Sequence, residues 1–337
     1  MRDKLVSVIV PTYNGEKRIA ATLEAIINQD HGNLEIIVVD DVSTDNTANI
    51  AKEILNSSSR TFQFIKRSEN GGQCAARNTG LKHANGDYVI FFDHDDLAER
   101  NFVSSLLREI EDKNADLVFC GIKHYYEGKD KFEAEPVTLK EKFLDPEYYL
   151  KAWAKREMKF WSVWNFIFRK SFIDAIKLSF NEHCKLGEDT EFVLKAIVAA
   201  KKVSFVNDML YIYVHNSGMT SLRYAKDRKI FESLALSRYR SIRPVIRKVK
   251  DKTIRNYAVN FYVADSIVTL LTNCAKFKAI DDYQRMTRIL RHKKIRELLF
   301  STVKFIFHKP ELFLKAFMLL YMPKLYYSLR KKKTARI

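Results

Sequence analysis

The sequence predicts an α/β fold with a mostly parallel central sheet flanked by helices, followed by a mainly helical, basic extension. Three observations carry this reading. Short β-branched runs alternate with segments of helical period, as in βα units. Several of those runs end abruptly in polar clusters, and open α/β sheets bind ligands outside the carboxyl ends of their strands. A chain of 337 residues with 47% hydrophobic content can also bury a sizeable core.

Each element follows in order. Val6–Val10 (VSVIV) reads as a first buried strand stopped at Pro11. In EKRIAATLEAII, Ile19, Leu23, Ile26 and Ile27 recur at helical spacing, giving one apolar stripe. Leu34–Val39 (LEIIVV) is a second strand running into Asp40 and Asp41, and Ser43 or Thr44 is the expected cap of the helix in DNTANIAKEIL. Phe62–Lys66 is a third strand and Gly72–His83 a third helix, after which YVIFF leads into the acidic DHDD. Ala115–Gly121 reads as a strand and Trp161–Phe168 as extended. Asp189–Ala200 reads as a helix, followed by the strand-like segments KVSFV and YIYV.

From Ala225 the character changes to long Arg- and Lys-rich amphipathic segments. The expected domains are therefore 1–224 and 225–337. The net charge of +17 is confined to the second part: residues 226–337 hold 28 Lys and Arg against 8 Asp and Glu, and residues 1–225 hold 30 against 33. Four dispersed cysteines without a C-x-x-C pair fit a reducing cytosol. No sustained apolar segment follows Met1, so no signal peptide is expected. The segment Leu312–Tyr327 is broken by Lys315, Pro323 and Lys324, which suits a membrane surface better than a span. There Phe305, Leu312, Phe313, Phe317, Leu320 and Tyr321 are interleaved with Lys304, Lys309, Lys315 and Lys324. Packing on the first domain or on a second subunit, in a homo-oligomer, is the competing use of that face.

Four constellations carry chemistry. Asp93 and Asp95 are two residues apart, so on an extended chain their carboxylates share one side, and His94 points the other way. Two converging carboxylates need a cation, and hard oxygen ligands suit Mg²⁺ or Mn²⁺. A lone D-x-D is as often a solvated loop, but this one follows a buried strand. NGGQCAARNTG offers glycines, free N–H groups at a helix start and Arg77, which suits a phosphorylated ligand. It lacks the P-loop pattern. LGEDTEF puts Glu188 and Asp189 at a helix N-terminus, where a capping role competes with that of a general base. His215 in YVHNSGMTS reads as structural, or as a metal or phosphate contact.

In this order the motifs VSVIVPTYN, IIVVDDVSTDNT, NGGQCAARNTG, YVIFFDHDD, SVWNFIFRKSF, LGEDTEF and YVHNSGMTS resemble those of family-2 glycosyltransferases of GT-A (Rossmann-like) fold, over residues 5–223. The resemblance implies that Pro11, Thr12, Tyr13 and Asp40 surround a nucleotide base, Asp40 accepting from a uracil N–H. Asn14, Glu16, Arg77, Asp93 and His94 complete the nucleotide-sugar set. Asp95 would bind the metal bridging the diphosphate, helped by His215, and Trp164 and Asn165 would line the sugar or acceptor side. Asp189 would be the catalytic base, with Glu188 beside it. Two departures stand out: Val42 replaces a common glycine, and Phe166 a common lysine.

The implied reaction is inverting transfer from a UDP-sugar to a hydroxyl of a glycan or lipid-linked acceptor in surface polysaccharide synthesis. It would take place in the cytoplasm or at the inner face of the membrane. A nucleotidyltransferase also needs paired carboxylates and a metal, but no glycine-rich, lysine-bearing loop follows the first strand. A polyanion binder on an inert scaffold would use the basic region, yet no nucleic-acid recognition motif accompanies that charge, so no nucleic-acid partner is expected.

Overall fold

In this computed structural model the described residues are 4–139, 144–155, 157–158, 162–184, 187–215, 242–256, 258, 264, 267–268, 282–302 and 310–334. The chain divides into two compact units, one of Met1–Leu150 with Met158–Met219, the other of Lys151–Glu157 with Thr220–Ile337. The boundary expected at 224/225 lies outside the described residues, as do 216–221 of YVHNSGMTS and residues 303–309.

The first unit holds a nine-stranded sheet. Its strands are β1 (Val6–Thr12), β2 (Leu34–Asp40), β3 (Thr61–Lys66), β4 (Tyr88–Phe91), β5 (Leu97–Ala98), β6 (Leu117–Tyr126), β7 (Lys131–Glu135), β8 (Phe166–Arg169) and β9 (Val203–His215). They are ordered β3-β2-β1-β4-β8-β6-β9-β5, with β7 beside β6. β1 pairs in parallel with β2 and β4, and β2 with β3. β8 is antiparallel to both β4 and β6, and β9 is parallel to β6. Strands β1, β2, β3, β4, β6 and β9 therefore share one direction, as expected of a mostly parallel sheet. The segments KVSFV and YIYV form one strand rather than two. Pairing to β6 continues across them, with register shifts around Gly121.

The helices are α1 (Ile19–Ile27), α2 (Thr47–Ser57), α3 (Gly72–His83), α4 (Phe102–Asp112), α5 (Pro146–Ala154), α6 (Lys170–Ala175) and α7 (Glu188–Ala199). On one face of the sheet, Val6, Val8, Val10, Ile36, Val38 and Ile90 pack with Leu23 and Ile26 of α1, Leu55 of α2 and Phe102 and Leu106 of α4. On the other face α3 comes so close that a Cβ at Gly80 would lie 2.3 Å from Ile9 Cγ2. There Phe91 meets Phe168, Phe180 and Phe192 edge-on. Cover on both faces explains why the strands read as unbroken apolar runs.

This topology gathers the site. The carboxyl ends of β1, β2 and β4 lie along one edge. Because Ile90 pairs with Ile167, the start of antiparallel β8 reaches that edge too and brings Trp164 and Asn165 with it.

Among its described residues the second unit is helical, at Lys252–Asn256, Asp282–Arg291, Lys293–Ser301, Pro310–Tyr321 and Pro323–Thr334. No helix among the described residues is long and apolar enough to cross a membrane.

Candidate active site

The first two loops lock together. Asn14 donates its N–H to Ser43 Oγ (3.0 Å) and accepts from the Thr44 N–H through Oδ1 (2.9 Å). Glu16 Oε2 accepts from the Asn46 N–H (3.1 Å). Asn14 and Glu16 therefore build the loop pair. Ser43 and Thr44 do not cap α2, whose first N–H, that of Thr47, goes to Asp45 Oδ1 (3.1 Å). Between the loops Val42 holds φ +67°, the left-handed region in which a glycine is unstrained and a valine is not. The turn geometry is thus kept without its glycine.

Pro11 and Thr12 are buried at the end of β1, whereas Tyr13 is 42% exposed. Asp40 is fully buried; its Oδ1 accepts from the Ser43 N–H (3.2 Å) and its Oδ2 has no partner. Thr12 Oγ1 is likewise buried without a partner. Buried polar atoms are nearly always satisfied, so two orphans at one strand edge mark a place built for a ligand.

Asp41 overturns the expected use of the glycine turn. Its carboxylate pairs with Arg67 and accepts from the N–H groups of Gly71 (3.1 Å) and Gly72 (2.7 Å). Those two amides hold a buried aspartate, so they do not point at a ligand phosphate.

Arg77 differs from expectation as well. It is 0% exposed, and its guanidinium bridges Asp93 Oδ1 (2.6 Å) and Asp189 Oδ1. The side chain was expected to offer a fork to phosphate, but both arms are taken by carboxylates because burial makes an unpaired guanidinium too costly. Its Nε is buried without a partner.

DHDD is a turn, not extended strand: β4 ends at Phe91 and the Asp96 N–H returns to the Asp93 carbonyl (3.2 Å). The alternation argument for the placement of Asp93, His94 and Asp95 therefore does not apply. The His94 carbonyl accepts from Thr22 Oγ1 (2.9 Å), and its ring lies so close to Gly15 that a Cβ there would meet it at 2.5 Å. Asp96 is buried, accepting from Tyr211 Oη (2.9 Å) and the Val214 N–H (2.8 Å). Burial first, then the negative charges of Asp95 and Asp93, push its carboxyl well above the usual range.

Glu188 and Asp189 open α7, after Gly187 at φ +87°. Asp189 Oδ2 accepts from Ser162 Oγ, and Glu188 Oε1 accepts from the Gln73 amide. Burial, then the charge of Asp189, raises the Glu188 carboxyl to about 7, with Glu188 Oε2 left without a partner. Asp189 is raised by burial against the opposing pull of Arg77.

Trp164, Asn165 and His215 are held by other protein groups. Trp164 is 4% exposed and stacks on Tyr211 at 4.3 Å, so it packs beneath the edge and presents little ring face to a sugar. Asn165 is buried, donating to the Cys120 carbonyl (2.7 Å), with Oδ1 unpartnered. His215 Nε2 meets His124 Nδ1 (2.8 Å), and His124 Nε2 meets Glu135 (3.1 Å). Burial, then His124, lowers the pKa of His215.

Gln73, Ser162 and Tyr211 were not singled out from sequence. Gln73 and Ser162 lie inside quoted motifs, but nothing local marks them as partners of acids more than twenty residues away. Among the described residues, no group of three or more His, Cys, Asp or Glu could hold a metal unaided. Asp93 and Asp95 both act on Asp96 electrostatically. That carboxylate donor set fits Mg²⁺ or Mn²⁺ arriving with a diphosphate, since such ions take one or two carboxylates and fill the rest with phosphate and water.

The chain resembles known proteins in both sequence and fold. The family model for glycosyl transferase family 2 matches residues 7–177. A Bacillus subtilis protein named as a glycosyltransferase, EpsH, is 36% identical over 236 residues, covering 69% of this chain and 67% of EpsH. The poly(ribitol-phosphate) beta-N-acetylglucosaminyltransferase TarP of Staphylococcus aureus is 30% identical, covering 63% of each. Roughly a third of each relative is thus left unmatched. The crystal structure of S. aureus TarS 1-349 in complex with UDP-GlcNAc superposes with TM-score 0.67 at 21% identity, covering 97% of this chain and 92% of that one. At that identity it shows the shared fold.

Proposed function

The chain belongs to glycosyl transferase family 2, and from that premise we propose that it moves a hexosyl or N-acetylhexosaminyl group from a UDP-sugar to a hydroxyl, with inversion. The acceptor we propose is a glycan or lipid-linked saccharide of cell-surface polysaccharide synthesis. The poly(ribitol-phosphate) in the name of TarP supports the acceptor class, and the UDP-GlcNAc in the TarS complex supports the donor.

The observation that carries the reading is the set of buried, partnerless polar atoms Thr12 Oγ1, Asp40 Oδ2, Arg77 Nε and Glu188 Oε2, on the last residues of β1 and β2 and on helices α3 and α7. Asp40 Oδ2 has the chemistry to accept from a base N–H, and the exposed ring of Tyr13 can cover the base. Asp95, with Asp93, would hold Mg²⁺ or Mn²⁺; a bound divalent ion stabilises charge on a departing diphosphate without a proton.

Asp189 accepts the acceptor hydroxyl proton as that oxygen attacks the anomeric carbon. Arg77 and Ser162 fix its orientation. Both oxygens are hydrogen-bonded in the free protein, and such contacts rearrange when substrates bind. One base with no enzyme nucleophile gives inversion, through a transition state of oxocarbenium character.

The test is a panel of UDP- and GDP-sugars with Mn²⁺, with nucleotide release measured with and without acceptor. UDP release from one UDP-sugar is expected. Turnover of GDP-sugars alone would refute the donor assignment.

A further inference from the structure

The helices Pro310–Tyr321 and Pro323–Thr334 carry apolar side chains on two opposite faces. One face is buried: Leu312, Ala316, Leu319 and Tyr326 are at most 3% exposed. The other is in solvent: Leu314 is 57% exposed, Phe317 42%, Tyr321 57%, Met322 44%, Leu325 44% and Leu329 52%. A helix inside a globular unit has reason to bury one stripe, and single exposed apolar residues need no explanation. Six along two consecutive helices do.

The exposed residues follow helical spacing on each helix: Leu314, Phe317 and Tyr321 on the first, Leu325 and Leu329 on the second. The two helices meet at Met322, whose N–H bonds the Met318 carbonyl (2.8 Å) and whose carbonyl accepts from the Tyr326 N–H (3.0 Å). At about 100° per residue, Lys315 flanks the stripe of the first helix and Lys324 that of the second. Lys315 makes a long contact with Glu311 (3.6 Å).

We propose that this stripe docks the protein on an anionic lipid bilayer, lying in the interface with its aromatic and leucine side chains among the acyl chains. Charge selects this occupant. Residues 226–337 hold 28 basic against 8 acidic residues, and Lys331–Lys333 follow the stripe directly. A protein partner would be expected to meet an apolar core depleted of lysine. Lysines with long stems beside an apolar stripe can keep their ammonium groups at headgroup level while the stripe inserts. The helices are too short and too charged to cross the membrane, so the attachment is peripheral. It rests on the helical unit alone and does not depend on which sugar is transferred.

The experiment is flotation of the full chain with phosphatidylcholine vesicles, with and without about one third phosphatidylglycerol. The protein should float with the anionic vesicles, at least tenfold more than with neutral ones, and be released progressively by salt. Leu314→Ser/Phe317→Ser/Leu325→Ser should abolish flotation, and Lys315→Glu/Lys324→Glu should weaken it. Because the altered side chains face solvent, circular dichroism and UDP binding should be unchanged, and that control separates lost docking from lost fold. Equal flotation of the triple-serine variant would overturn the proposal, as would no flotation of the wild type. A concentration-dependent dimer abolished by the same substitutions, without vesicle binding, would reassign the stripe to a second copy of the chain and overturn it too.

Discussion

In the sheet-bearing unit an arginine and several carboxylates are buried where strands end, while in the helical unit leucines and aromatics stand in solvent along two consecutive helices. Each is the reverse of what stability alone would select. Buried charge is met there by opposite charge and backbone donors: the two terminal nitrogens of Arg77 by Asp93 and Asp189, and Asp41 by Arg67 and two backbone amides. A contiguous exposed apolar patch, unlike single exposed residues, marks a surface that meets a partner or a membrane. The departures from ordinary packing thus point to the working parts of both units.

Four substitutions probe the first half of that contrast. Asp189→Asn should give the largest effect, cutting sugar transfer by about 10²–10⁴-fold while UDP affinity stays close to wild type; calorimetry and UDP-release assays read the two. Near-normal turnover would exclude Asp189 as the base. Arg77→Ala strands two acids and should cost about 3–5 kcal/mol of stability in urea denaturation. Adding Asp93→Asn and Asp189→Asn to Arg77→Met should recover much of that loss, because the whole charged group is then removed together.

Glu188 offers a pH test. Its carboxyl titrates near 7 in the fold against 4.5 ordinarily. The folded protein therefore binds more protons between those values, and stability falls as pH rises through that window. Glu188→Gln should flatten the fall, by on the order of 2 kcal/mol at pH 8, and change little below pH 4.5. Denaturation midpoints at pH 5 and pH 8 check it. The smallest effect is expected of Val42→Gly: relief of the left-handed strain should outweigh the added chain entropy, raising stability by less than about 1 kcal/mol, measured by thermal unfolding.

Much of the fold was legible because it is written locally. Buried strands read as apolar runs, and the glycine turn before α3 announced its helix to the residue. The gathering of the strand ends at one edge was legible for the same reason. What was not legible depends on residues far apart in sequence. Arg77 looks like a phosphate ligand until Asp189, 112 positions away, is seen to occupy it. Trp164 looks like a sugar platform until Tyr211 stacks on it. DHDD looked extended because it continues an apolar strand, yet one backbone bond from Asp96 to Asp93 folds it into a turn. Spacing identifies which residues gather at an edge, and only the fold decides which of their atoms remain free to act.

Asp40 Oδ2 and Thr12 Oγ1, both buried and unbonded, bear on how this protein can change. Each such atom costs about 1–3 kcal/mol that an apolar group of the same shape would not. Selection for robustness alone would erase them, and a search for heat-resistant variants that ignored turnover would find its gains there first. On the proposed function, thermal tolerance and turnover compete at these same two side chains. A stabilised variant that keeps its activity will have to find its improvement elsewhere in the chain.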